Sequence, residues 1–193
     1  MQQFAEILAT QGVERGLIGP REVPRLWGRH LVNCAVVAEE ATAEIPPGCT
    51  VADVGSGAGL PGLVWALMRP DLHVTLIEPL LRRATFLSEA VTELSLADRV
   101  EVVRARAEDV APRTFDVVTA RAVARLPQLL TWTLPLASVG GVVLALKGST
   151  AAQEVEEVEG TRVARGAGPI AIHCYGTGVI DPTTTVVVIP RVR

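Results

Sequence analysis

One glycine-rich segment constrains the fold of this chain more than any other feature. An apolar run ends with Asp53, and alternating glycines follow at Gly55, Gly57 and Gly59. A Cβ atom at these positions would hold a ligand away from the backbone or block the positive φ angles of a tight turn. The segment therefore predicts a ligand-binding turn between a β-strand and an α-helix.

Strand and helix patterns alternate after this turn and set the expected fold class. The final two predicted strands have no helix between them. This order predicts an α/β, doubly wound, Rossmann-like sheet that is mostly parallel, with an antiparallel C-terminal edge hairpin. The predicted strands are 50–54, 73–77, 99–104, 115–120, 141–147, 167–174 and 184–190, and the predicted helices between them are 60–68, 80–94, 127–137 and 150–159.

The first 45 residues have a different pattern. Apolar residues recur at helical spacing in 1–10 and 22–43, and the Pro46-Pro47-Gly48 sequence ends this region. We therefore predict an N-terminal helical extension, residues 1–45, packed on the core. Residues 46–193 are predicted to form a single domain that holds the ligand.

Composition limits where such a protein works. The 193 residues carry a net charge of −3, and no apolar run approaches the roughly 20 residues of a membrane helix. The N-terminus lacks the pattern of a secretion signal. Three scattered cysteines, Cys34, Cys49 and Cys174, form no CxxC pair, which predicts buried thiols and no metal site. We expect a cytoplasmic monomer that binds neither metal nor membrane.

Acidic residues at predicted strand ends indicate the ligand. Asp53 would repel a pyrophosphate and attract a sulfonium or ammonium group. Glu78 follows the second strand, where an acid can bind ribose hydroxyls. Glu108 or Asp109 follows the third strand and could accept from an adenine amino group, or could simply begin a helix. The set favours an S-adenosylmethionine methyltransferase, although the GxGxxG pattern keeps a nicotinamide oxidoreductase open.

Four basic side chains are candidates for positioning a substrate. Arg121 leaves the fourth strand where cofactor and substrate should meet, although a surface ion pair is the alternative. Lys147 ends the fifth strand at the same edge and could contact a phosphate or have a structural role. Arg29 and His30 lie on the N-terminal helix, and a lone histidine there is equally consistent with simple packing.

Several motifs together resemble one known family. They are Leu26-Trp27-Gly28-Arg29-His30-Leu31-Val32-Asn33, the turn from Asp53 to Gly62, Arg82-Arg83-Ala84-Thr85-Phe86-Leu87, Thr119-Ala120-Arg121-Ala122-Val123-Ala124 and Ala145-Leu146-Lys147-Gly148. From about residue 8 to residue 189 the chain resembles the bacterial ribosomal RNA small subunit methyltransferase G family, also called glucose-inhibited division protein B.

The resemblance implies an enzyme, its methyl donor and its target. It implies methylation of guanine N7 in the decoding-region loop of 16S ribosomal RNA, with free RNA or the small subunit as partner. It also implies that S-adenosylmethionine is bound by Gly55, Leu60, Ala107, Glu108 and Arg121, with Glu78 near the ribose.

The chain departs from the family pattern in two places. Asn33 stands where family members often carry Asp, and Thr183 and Thr184 stand where a charged residue often precedes the last strand. The second difference weakens any assignment of RNA contacts to that segment. Arg29, His30 and Arg121 remain the candidate RNA contacts.

Other functions stay open from the residues alone. A small-molecule methyltransferase would use the same scaffold, but it would need an aromatic-lined pocket, and aromatic residues are only 4% of this chain. A third possibility is a binding protein that keeps the cofactor turn without activity. The presence of Asp53, Glu78 and Glu108 together argues against it. Guanine N7 already offers an unprotonated lone pair, so the predicted reaction requires no general base.

Overall fold

The structure, a computed structural model, describes residues 1–110 and 113–193. Seven strands form one sheet in the order β3-β2-β1-β4-β5-β7-β6. The strand bounds are β1 Thr50–Val54, β2 His73–Ile77, β3 Val100–Val103, β4 Phe115–Arg121, β5 Ala137–Lys147, β6 Ala171–Tyr175 and β7 Thr184–Pro190.

Strands β1 to β5 pair in parallel, whereas β7 pairs antiparallel to both β5 and β6. The strand order reverses between β1 and β4, which is where an open α/β sheet leaves a crevice at its carboxyl edge. The predicted fold class is confirmed, including the antiparallel C-terminal edge.

Six α-helices connect and cover the strands. Their bounds are α1 Gln2–Ile7, α2 Val32–Glu40, α3 Gly62–Met68, α4 Leu81–Glu93, α5 Leu126–Thr133 and α6 Ala151–Glu156. Among the described residues, no helix has the length and apolar character needed to cross a bilayer.

Alternating residues of the strands fill two apolar clusters, one on each face of the sheet. Val51 faces the cluster that contains α1 to α4, and Ala52 faces the cluster that contains α5 and α6. In β4, Phe115 belongs to the second cluster and Val117 to the first despite their spacing of two, and the pairing with β5 changes register between them. Both faces are therefore covered, as a mostly parallel sheet requires.

The N-terminal segment shares the first of these clusters. Phe4 and Leu31 are buried with Trp65 of α3, whose indole N–H donates to the carbonyl of Cys34 at 3.0 Å. Glu40 accepts from the backbone N–H of Gly176 at 2.9 Å. A domain boundary between residues 45 and 46 stays a prediction.

Several local predictions are wrong. The helix predicted over 127–137 is α-helical only to Thr133, and the strand predicted from residue 141 begins at Ala137. Residues 22–43 are not one α-helix: Pro20–Arg25 is 3-10 helix, Trp27–Leu31 is π-helix, and regular α-helix ends at Glu40. Pro24 explains part of this difference, since proline has no N–H to donate within a helix. Cys34 and Cys49 are buried as predicted, but Cys174 is exposed because it lies on the edge strand β6.

Candidate active site

Backbone hydrogen bonds shape the turn after β1. Gly55 has a φ of +69°, and its N–H donates to the carbonyl of Ile77 at 2.8 Å. The N–H of Gly57 donates to Glu78 Oε2 at 3.0 Å. The N–H of Gly59 donates to the carbonyl of Ser56 at 2.7 Å. The three glycines thus bend the chain across the end of β2 and into α3.

Asp53 lies beneath this turn rather than in an open cleft. It is fully buried, its Oδ2 accepts from the N–H of Gly62 at 3.0 Å, and its Oδ1 has no hydrogen-bond partner within the described part of the chain. Burial raises the pKa of Asp53 to about 7, although the hydrogen bond from Gly62 acts in the opposite direction. Through Oδ2 the side chain stabilises the start of α3, and Oδ1 can still accept a hydrogen bond.

A cavity of about 370 Å³ opens beside the turn, at the ends of β1, β2 and β3. It brings together four of the predicted cofactor residues, namely Gly55, Glu78, Ala107 and Glu108. Glu78 is almost fully buried, and its Oε1 accepts from the N–H of Leu80 at 3.0 Å. The carboxylate is therefore held in place, and it lines the cavity with lone pairs left to accept further hydrogen bonds.

This cavity suits an adenosine moiety. Glu78 can accept from ribose hydroxyls, and Glu108 lies across the cavity where an adenine amino group could be bound. A Cβ on Gly55 would come 2.7 Å from Val123, so only glycine leaves space at this point. Asp53, Gly57, Gly59, Leu60 and Arg121 do not line the cavity, although the first three support its turn.

A second cavity, of about 780 Å³, adjoins the first at the ends of β4 and β5. Ala122 and Val123 line both cavities. The predicted positioning residues Arg121 and Lys147 line the second cavity, together with Asn33 of α2. The two cavities therefore lie side by side along the carboxyl edge of the sheet.

Arg121 points to the N-terminal helices. Its Nη2 donates to His30 Nδ1 at 2.7 Å, and its guanidinium also contacts the carbonyls of Arg29 and His30 and the sulfur of Cys34. His30 Nε2 lies 3.0 Å from Glu22. Because Nδ1 accepts from arginine, His30 is neutral and donates through Nε2. Burial, and less strongly Arg121, lowers the pKa of His30 despite its hydrogen bond with Glu22.

Lys147 forms a buried ion pair instead of an open phosphate contact. Its Nζ donates to Glu154 Oε2 at 2.8 Å and to the carbonyl of Ala124 at 2.6 Å. Glu154 also accepts from the N–H of Leu126 and from Thr150. Burial acts to raise the pKa of Glu154, but these hydrogen bonds outweigh it and bring the pKa to about 2. The pair holds both ends of the segment 124–126.

Sequence reasoning missed the residues that divide the site. Val123 packs on Gly55, and the non-glycine Ala122 has a φ of +56°. Trp132 and Arg83 also line the first cavity. The Thr119–Ala124 motif was a signal for the first two, but no local pattern indicates that Trp132 of α5 reaches the ends of β1 and β2. Among the residues that the structure describes, no group of three or more His, Cys, Asp or Glu is arranged to hold a metal ion.

Solved structures support the fold. A crystal structure from Methanococcus maripaludis, assigned to the S-adenosylmethionine-dependent methyltransferases, matches with a TM-score of 0.68 at 13% identity, covering 100% of this chain and 92% of that one. The precorrin-6y C5,15-methyltransferase of Geobacter metallireducens matches with a TM-score of 0.58 at 14% identity, covering 91% and 90%. At these identities the matches show the architecture alone.

Sequence comparisons show the family. The model of the family described as rRNA small subunit methyltransferase G matches residues 1–180. The protein named ribosomal RNA small subunit methyltransferase G in Salinispora tropica is 57% identical, covering 98% of this chain and 80% of its own length. Its namesake in Thermobifida fusca is 58% identical, covering 96% and 77%. This chain therefore belongs to the rRNA small subunit methyltransferase G family, and it is an enzyme of the S-adenosylmethionine-dependent methyltransferase class.

Proposed function

We propose that this protein transfers a methyl group from S-adenosylmethionine to N7 of a guanine in the decoding-region loop of 16S ribosomal RNA. One observation carries the proposal: in a member of this family, a single cavity gathers Gly55, Glu78, Ala107 and Glu108 at adjoining strand ends. No aromatic residue is among the described residues that line the neighbouring cavity, which disfavours a small-molecule acceptor.

The residues have distinct proposed roles. Glu78 would bind the ribose and Glu108 the adenine. The small residues Ala107 and Gly55 would leave room for the purine and let the donor come close to the backbone. Gly57, Gly59 and Leu60 would keep the turn in shape. Asp53, with one unpartnered oxygen under the turn, would favour the positive methionine end of the donor.

No side chain needs to act as a base. When bound, S-adenosylmethionine would supply an electrophilic methyl group: the N7 lone pair would form the new N–C bond while the C–S pair stays on sulfur, and the positive charge would move to the base. The chain's contribution is to hold the two reacting groups in line and to exclude water. The hydrogen bond between Arg121 and His30 would hold the N-terminal helices against the site. Arg29, which is exposed, would contact RNA.

The partner is proposed to be structured RNA. N7 lies on the major-groove edge, which is inaccessible in an A-form duplex, so the target guanine must be in a loop or be turned out of the stack. With a net charge of −3, this protein should bind short naked RNA weakly at physiological salt. We further propose that it acts as a cytoplasmic monomer whose residues 1–45 extend the catalytic domain.

Mass mapping of 16S ribosomal RNA tests the proposal. Cells with and without the gene should differ by one methyl group on one guanine, and complementation with the wild-type gene should restore it. Complementation with Glu78→Ala should not, whereas Glu101→Ala, an exposed acid on β3, should. Identical RNA from both strains, with a methylated small metabolite missing instead, would establish the small-molecule alternative.

A further inference from the structure

We propose that the second cavity, lined by Asn33, Val123, Ser149, Thr183 and Thr185 among others, receives the acceptor guanine, and that Asn33 reads its Watson–Crick edge. This inference rests on the proposed function, and it adds the location and the recognition of the acceptor base. The first cavity has been assigned to the donor, so the acceptor needs a separate space within reach of it.

Position is the first argument. In-line transfer requires N7 directly beyond the methyl carbon with no group between them, so the donor and acceptor spaces must adjoin and share part of their lining. Ala122 and Val123 are the residues that the two cavities share. They are small, and Val123 is 37% exposed. The cavity of about 780 Å³ falls in the size range of small-ligand sites and can hold an extruded nucleotide.

Chemistry is the second argument. The cavity is lined by hydroxyl groups, one carboxamide and backbone groups, and the one carboxylate that lines it, Glu154, is neutralised by Lys147. An uncompensated negative charge that would repel a nucleotide is therefore absent from the described lining. Arg121 and Arg125 line the same cavity, where their positive charge would favour the phosphates next to the extruded base, although Arg121 also binds His30 and Arg125 also pairs with Glu157.

Asn33 is the side chain best prepared to read the base. Its backbone carbonyl accepts from Thr184 Oγ1 at 3.0 Å, which ties α2 to β7 and fixes the residue. Its own carboxamide, half-buried in the lining, has no hydrogen-bond partner in the described part of the protein. When N7 faces the donor, the N1–H and N2–H groups of guanine point away from it. The Asn33 oxygen can accept from these groups.

Variants of Asn33 test the recognition. Small subunits from cells that lack the gene, with radiolabelled S-adenosylmethionine, provide kcat and KM, and calorimetry provides donor affinity separately. Asn33→Leu should lower kcat/KM by roughly 5- to 100-fold, the usual effect of losing a base-edge contact, with unchanged donor affinity. Asn33→Asp should lose less activity than Asn33→Leu, because a carboxylate also accepts from both guanine N–H groups, whereas its added negative charge opposes the nearby phosphates.

A filled cavity tests the location independently of Asn33. Thr183→Trp places an indole in the cavity and should raise KM or abolish methylation, again without weakening donor binding. Thr177→Trp is the matched control, because Thr177 is exposed on the same β6–β7 connection and does not line the cavity. It should behave as wild type.

Each other outcome is decisive. Wild-type kinetics in Asn33→Leu, or equal effects of Thr177→Trp and Thr183→Trp, would overturn the acceptor assignment while leaving the proposed function intact. Donor affinity that falls together with kcat/KM would show that this cavity holds the donor instead. If the wild-type protein itself transfers no methyl group either to small subunits or to free 16S ribosomal RNA, the proposed function fails, and the inference fails with it.

Discussion

The turn after β1 and the segment after β4 form facing walls of the same site, but different forces hold them. Glycine conformations and backbone hydrogen bonds determine the first wall, as at Gly55 and Gly59. The second wall, 121–126, is held by charged side chains from distant elements. Arg121 bonds to residues 29 and 30, and Lys147 with Glu154 holds residues 124 and 126.

The difference matters for how each wall can fail. The first wall is held by the backbone of the turn itself, so a single substitution there strains the backbone and leaves no charged side chain without its partner. The second wall depends on buried charges, and a buried charge that loses its partner is costly. The walls meet where Val123 packs on Gly55. Four substitutions, ordered from the largest expected effect to the smallest, test this picture.

Lys147→Met should break the second wall most severely. Lys147 and Glu154 are 9% and 7% exposed, and leaving one buried charge alone typically costs about 3–5 kcal/mol of unfolding free energy. Replacing both residues by methionine should recover much of the stability, as measured by urea denaturation. Methylation should stay low in the double variant, because the carbonyl of Ala124 and the N–H of Leu126 lose their partners. A single-variant loss below about 1 kcal/mol would be typical of a surface pair instead.

Arg121→Ala should lower methylation by about 10- to 100-fold while the protein stays folded, since a small misplacement of a reacting group can cost that much. Arg121→Lys should recover little, because an ammonium cannot reproduce the planar contacts with His30 and the two carbonyls. Rates and circular dichroism of both variants are the measurements. Unchanged methylation rates would show that Arg121 has no role in the reaction.

Gly55→Ala should weaken donor binding more than Gly57→Ala. Both residues have positive φ, at +69° and +57°, so each alanine costs about 1–2 kcal/mol in backbone strain. Only at Gly55 does the new Cβ collide with Val123, whereas at Gly57 the nearest atom is 3.7 Å away. Adding Val123→Ala should therefore rescue part of the calorimetric loss in Gly55→Ala. Equal losses of donor affinity in Gly55→Ala and Gly57→Ala would show that the contact between Gly55 and Val123 does not affect donor binding.

Asp53→Asn should have the smallest effect, and it should appear as a change in pH dependence. The pKa of Asp53 is raised from 3.8 to about 7, so the folded state binds an extra proton between these values. Wild-type stability contributed by this group is complete below pH 4 and is lost as pH rises through 7. The variant should lack that loss in thermal unfolding scans from pH 4 to pH 8. Weaker donor binding by the variant would support the electrostatic role proposed for Asp53.

Much of the fold could be predicted because its determinants are local. The bounds of β1, β2 and β7 coincide with the predicted 50–54, 73–77 and 184–190, since apolar runs bounded by turn residues define a buried strand. The prediction of one α-helix over residues 22–43 was wrong. The spacing of apolar residues does not reveal that 3-10 helix, which contains Pro24, and π-helix precede α2. The position of Glu78 and Glu108 in the lining of one cavity was predictable from their place after strands, and their role toward the cofactor stays a prediction.

The sequence alone determined the glycine turn, the acids at the strand ends and the order of strands and helices, because each depends on neighbours a few residues away. Only the tertiary structure decided that Arg121 turns toward His30, 91 residues earlier, and that Lys147 bonds to Glu154 rather than to a phosphate. The direction of a long charged side chain is set by which buried partner lies nearest once the elements have packed, and no local pattern encodes that distance.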